Sequence, residues 1–141
     1  MKYIIVYWSH YGNNKKLVDS LALMLNDKGA ETQIFTTDEA NPTEMPTADV
    51  YIFSSPAESF NLQKNMIMFM KNLSGMEGEK YGIMNTHWMQ KNRLGKMEKL
   101  LSHQKMTKIA EVDFLVEKDG QGGYKLKEKW EVKLAEFAKR I

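Results

Sequence analysis

The chain of 141 residues contains no cysteine. That excludes a disulfide framework, a thiolate metal site and a cysteine nucleophile. Proline is scarce, and two of the three prolines fall in the single stretch DEANPTEMPTA. An excess of charge is also lacking: 20 Lys and Arg face 18 Asp and Glu, a formal net charge of +2. So small an excess leaves no electrostatic footprint for nucleic acid or an anionic membrane, and neither is expected as a partner. No apolar run approaches the roughly 18 residues of a membrane span. The opening MKYIIVYW carries one Lys and a short apolar run with no small-residue cleavage site after it. It reads as a first strand rather than a signal peptide, and the cytoplasm is the expected location. No histidine pair stands at metal spacing, and no GxSxG elbow is present.

What is present is enough hydrophobic sequence, 43%, for one sizeable core, so residues 1–141 are expected to form a single domain. The eleven methionines stand mostly at helix- or strand-spaced positions and read as core filler. KYIIVYW, residues 2–8, is a nearly continuous apolar run, as in a strand buried on both faces. A helical pattern follows, with Leu17, Val18, Leu21, Met24 and Leu25 on one face and Gly29 where a C-cap belongs. ETQIFTT alternates like a strand near a sheet edge. DEANPTEMPTA predicts a connection with at most a short helix. DVYIFSS is a second buried strand, and NLQKNMIMFMKNLSG is helical. KYGIMNT predicts a strand, KNRLGKMEKLLS a helix and KIAEVDFLVE a strand. KDGQGG predicts a surface turn, and KLKEKWEVKLAEFAKRI a closing helix. Five alternations of strand and helix predict an α/β fold with a parallel sheet covered on both faces. Ligands of such sheets bind beyond the carboxyl ends of the strands, where strand order reverses.

The stretch SHYGNN joins the first strand to the first helix. Helix N-termini present unpaired N–H groups and a positive dipole end, which attract anions. Gly12 permits unusual dihedrals and close backbone approach. Ser9, Asn13 and Asn14 can add side-chain hydrogen bonds. Lys15 and Lys16 are unfavourable against the dipole, and a bound phosphate would offset that. A plain turn with Asn13 capping the helix explains the same residues. The spacing matches neither GxxxxGK[ST] nor GxGxxG.

IIVYWSHYGNNKKLVDSLA resembles the opening of a short-chain flavodoxin. The phosphate loop of that family is [S/T]-x-T-G-x-T after an apolar first strand. Ser9, Gly12 and Asn13 match it, His10 fills a variable position, and Tyr11 and Asn14 replace two threonines. The order and length of elements extend the resemblance over the whole chain. It implies a flavodoxin-like three-layer domain with a five-stranded parallel sheet of order 2-1-3-4-5, its second helix short or absent. It also implies flavin mononucleotide (FMN) as cofactor, held by three loops. The first is Ser9, His10, Tyr11, Gly12, Asn13 and Asn14. The second is SSPAESFN after the third strand, where Ser55, Pro56, Ala57 and Glu58 run along the flavin and Phe60 either covers the ring or staples the next helix. The third is NTHWMQKN after the fourth strand, with Asn85, Thr86, His87 and Trp88. Trp88 is the aromatic expected against the ring, through buried area and offset stacking.

The acidic pair and third-strand Asp of receiver domains are replaced by Tyr7–Trp8 and Ser54–Ser55. The leading expectation is an electron carrier acting with redox partner proteins. An FMN oxidoreductase acting on a quinone or porphyrinogen, and a flavin-free binding module of the same fold, are the alternatives.

Overall fold

The computed structural model describes all residues 1–141. The chain runs β1 (Lys2–Tyr7), α1 (Asn13–Asp27), β2 (Glu31–Thr36), β3 (Val50–Glu58), β4 (Asn61–Leu62), α2 (Lys64–Asn72), β5 (Lys80–His87), α3 (Leu94–His103), β6 (Thr107–Lys118), β7 (Tyr124–Leu126) and α4 (Trp130–Arg140). The sheet order is β2-β1-β3-β5-β6-β7, with β4 attached to β3. The five long strands β2, β1, β3, β5 and β6 are parallel, in the order expected.

Side chains alternate across a strand, so one strand feeds two cores. Ile5 packs with Leu17, Leu21 and Ile52 on the face covered by α1 and α4. Ile4 and Val6 pack with Phe53, Phe69 and Leu101 on the face covered by α2 and α3. Ile4 and Ile5 are both fully buried, which is why β1 reads as a continuous apolar run. Met66, Met70, Met76, Met97 and Met106 all lie in the second core, in keeping with methionine as an adaptable filler. Gly82 on β5 is required by packing: an added Cβ would stand 2.9 Å from Phe137 Cζ and 3.0 Å from Ile52 Cδ1.

The sheet has seven strands rather than five. β4 folds back on the end of β3, pairing Glu58 with Asn61. β7 returns along the end of β6, pairing Lys118 with Tyr124. Both added strands are antiparallel and satisfy backbone groups where β3 and β6 outrun their neighbours. The helix expected from Asn61 therefore starts at Lys64, where the Gln63 side chain accepts a hydrogen bond from Met66 N. The closing helix starts at Trp130, because Lys125 and Leu126 belong to β7. Between β2 and β3 no helix forms. Glu39 accepts from Thr36 N at 2.8 Å, and Asn41 holds Thr43, so the segment is a series of turns. No helix is long and apolar enough to cross a membrane.

Candidate functional site

β1 lies between β2 and β3, so the chain reverses its direction of travel across the sheet there. At such a switch point the adjacent loops part and leave a crevice beyond the strand ends. Here a cleft of about 350 Å³ opens at that end of the sheet. His10, Tyr11, Asn13 and Asn14 line it from the first loop, Pro56, Ala57 and Glu58 from the end of β3, and Thr86, His87 and Trp88 from the end of β5.

Five of the residues named from the sequence stand elsewhere. Ser9 and Gly12 line an adjacent hollow with Lys15 and Asp38. Ser55 and Asn85 are buried beneath the cleft. Asn85 donates to Ser55 O at 2.8 Å and accepts from Arg93 N at 2.7 Å, so it ties β3 to the start of α3. Phe60 lies at the tip of the β3–β4 hairpin, 80% exposed, and does not reach the cleft.

The first loop leaves a row of donors. From Ser9 to Gly12 no backbone N–H meets an acceptor of the chain. Asn13 and Asn14 open α1 and have no helical carbonyl one turn behind them. Gly12, the N-cap, takes φ +86° and has no side chain to cap the helix; Ser9 Oγ instead accepts a long hydrogen bond from Lys15 N at 3.4 Å. No atom stands within 4 Å of where a Gly12 Cβ would be, so the glycine serves the backbone conformation rather than tight packing. The two asparagines are engaged with the protein itself. Asn14 is buried, donates to Thr86 Oγ1 at 3.0 Å and accepts from Ser54 Oγ at 2.8 Å. Asn13 donates to Tyr124 O at 3.0 Å. The lysines do not wait for an anion either. Lys15 pairs with Asp19 at 2.6 Å, and Lys16 lies 5.3 Å from the Trp130 ring centre.

The walls of the cleft are aromatic. Tyr11 stacks on His10, with ring centres 4.3 Å apart and planes within 11°. Tyr124 meets Tyr11 at 5.0 Å and Trp88 at 5.1 Å. Lys118 Nζ stands 5.3 Å from the Trp88 ring centre. Sequence reasoning missed Tyr124, along with Ser59, Gln90 and Val116, which also line the cleft. An aromatic directly after a three-glycine turn was the available signal for Tyr124. It was masked because the turn reads as plain surface and the charges after it read as helix.

Two histidine–carboxylate contacts frame the site. His10 Nδ1 lies 3.3 Å from Glu58 Oε1, linking the first loop to the β3 hairpin. His87, 9% exposed, faces Asp113 Oδ2 at 2.7 Å and Gln90 O at 2.8 Å, which fixes the loop that presents Trp88. Burial alone would raise the Asp113 carboxyl. The hydrogen bond from His87 and the charge of Lys133 outweigh it and hold Asp113 below the usual carboxylate range.

By sequence, no protein-family model and no curated protein matches the chain. By structure the likeness is extensive. The chain superposes on the TIGR4 flavodoxin of Streptococcus pneumoniae with a TM-score of 0.79 at 18% identity, covering 99% of this chain and 97% of that one. Flavodoxin 1 of Bacillus cereus gives 0.75 at 15% identity, covering 100% and 99%. The rubredoxin oxygen:oxidoreductase of Desulfovibrio gigas gives 0.81 at 15% identity, and there 99% of this chain matches 35% of the larger protein. The fold is that of the flavodoxins, spanned from end to end.

Proposed function

We propose that the chain binds FMN in this cleft and serves as an electron-transfer protein between redox partner proteins. The observation that carries this reading is the row of unengaged N–H donors from Ser9 to Gly12, continued by the start of α1, in the loop that borders the aromatic-walled cleft and the adjacent hollow. A phosphate monoester can be held by unpaired backbone donors at a helix N-terminus. The asparagine side chains stiffen this loop rather than touch the anion: Asn14 fastens it to β3 and β5, and Asn13 to the β7 strand. Trp88 and Tyr124 offer π faces to a flat heteroaromatic ring. Bound FMN would supply the redox chemistry, and the protein would position it and exclude water. Glu58 is the only carboxylate lining the cleft, and its Oε1 lies 3.3 Å from His10 Nδ1. The ring nitrogens of His87 both face protein oxygens. That favours a carrier over an enzyme with its own acid–base pair for a quinone or porphyrinogen.

The test is reconstitution. FMN added to flavin-free protein should quench tryptophan fluorescence and remain bound through gel filtration. Protein that leaves FMN free in both assays would overturn the reading. Reduced, reconstituted protein should then pass electrons to a redox protein acceptor, and steady turnover of a quinone would instead favour the oxidoreductase.

A further inference from the structure

On the sheet face covered by α2 and α3, a groove of about 400 Å³ runs between those helices. It is lined by Lys71, Lys96, Lys99, Leu100, His103 and Gln104. No carboxylate lines it, and none of the four basic side chains takes part in an ion pair. α2 has no acidic residue at all. The one acid of α3, Glu98, is turned to Lys108 on β6 at 2.8 Å. Lys96, Lys99 and His103 fall at i, i+3 and i+7, so α3 presents them as one stripe. Lys96 and Lys99, one turn apart, bring like charges together on that stripe.

Basic residues near a helix C-terminus often serve to satisfy its last carbonyls. Here that task is already done for α2: Gln104 Nε2 donates to Met70 O at 3.0 Å and to Lys71 O at 3.1 Å. Lys96 lies in the first turn of α3, where a cation opposes the dipole. A chain with a net charge of only +2 has therefore gathered four basic groups in one concavity and kept its acids out of it. Leu100 is the only apolar residue of the lining. A protein-docking surface would carry an apolar, aromatic-rich centre instead.

We propose that this groove binds a compact anion bearing two or more phosphate groups. Lys71 reaches it from α2, and Lys96, Lys99 and His103 from α3. The groove extends to the C-terminal ends of both helices, whereas the FMN cleft lies at the opposite end of the sheet. The two sites share no residue, so the proposal stands apart from the flavin reading.

The test is an amide NMR titration of the full chain with sodium pyrophosphate, against sodium chloride at matched ionic strength. Saturable shifts should concentrate at Lys71 and at residues 96–104, and chloride should not reproduce them. Lys99→Glu should weaken binding about tenfold or more, equivalent to at least ~1.4 kcal/mol. Lys99→Gln should fall between that variant and the parent, and Lys139→Glu on α4 should leave binding nearly unchanged. Shifts equal to those in chloride, shifts confined to residues 9–14, or equal losses in Lys99→Glu and Lys139→Glu would each overturn the proposal. So would Lys99-dependent sedimentation with phosphatidylcholine vesicles containing a phosphoinositide in the absence of any pyrophosphate response, which would assign the groove to a membrane headgroup.

Discussion

Two glycine-bearing turns flank the same cleft, and they differ in where their N–H groups go. The β1–α1 turn has Gly12 at φ +86° and leaves its N–H donors unengaged from Ser9 to Gly12. The β6–β7 turn has Gly120 at +80° and Gly122 at +86°, yet it satisfies itself. Asp119 Oδ1 accepts from Gln121 N at 2.7 Å and from Gly123 N at 3.1 Å, and Asp119 N donates to Gly123 O at 3.1 Å. A positive-φ glycine thus marks a turn in both places. Only the turn whose own N–H groups, from Ser9 to Gly12, find no acceptor is left able to hold an anion, while the other delivers a wall residue, Tyr124.

The largest expected effect breaks the first turn. A β-branched residue is a conformational outlier at φ +86°, so Gly12→Val should reorient the donors. FMN affinity should fall by about a hundredfold or more, ~2.7 kcal/mol, in a fluorescence titration. Gly122→Val suffers the same strain but should lower stability by about 1–3 kcal/mol with a much smaller change in FMN affinity. Equal losses of affinity in the two variants would erase the distinction between the turns.

Asn14→Leu comes next. It removes the shared partner of the buried Ser54 and Thr86 hydroxyls and should lower stability by about 2–3 kcal/mol in urea denaturation. A change within error would show that the asparagine does not brace the loop.

The aromatic wall follows. Tyr124→Ala should weaken FMN binding by about 1 kcal/mol, the scale of one aromatic pair. Trp88→Phe should abolish most of the FMN-induced quenching of tryptophan fluorescence. Quenching that survives would move the role to Trp8 or Trp130.

The smallest effect concerns acid pH. The N–H groups of Gln121 and Gly123 hold the exposed Asp119 carboxyl below its usual range. A depressed folded value means that the contribution is present above the unfolded pKa, about 3.9, and fades as pH falls through the lower folded value. The Gln121 and Gly123 amide resonances should therefore titrate with a midpoint below the ordinary Asp range. Asp119→Ala should remove that titration while the resonances of residues 9–14 stay in place. A midpoint at the ordinary value would show that the second turn does not depend on its carboxylate.

The long elements were legible because each repeats one physical signal. The apolar runs of β1 and β3 and the helical stripes of α1 to α4 are patterns of burial, and burial is what the sheet and its two cores provide. β4 and β7 carry no such pattern. Strands of two and three residues are defined by the backbone edge they complete, and the charges of KLKEKW read equally well as helix. The site divides the same way. Gly12, Trp88 and the loops carrying them could be read from their place after apolar strands. The engagement of Asn14 with Ser54 and Thr86 could not, since its partners lie 40 and 72 residues away.

By itself the sequence determined the alternation of strand and helix and the loop at which an anion could bind, while the order of the parallel strands came only from the resemblance to the flavodoxins. The first two follow from hydrophobic periodicity and local turn chemistry, which act over a few residues. Only the tertiary structure decided which polar groups remain unengaged. It joined Asn14 to Ser54 and Thr86 and Lys16 to the Trp130 face, and it carried Tyr124 into the cleft wall. Hydrogen bonds and ring contacts are satisfied by whatever the fold brings within reach, and that proximity exists only once the chain is packed.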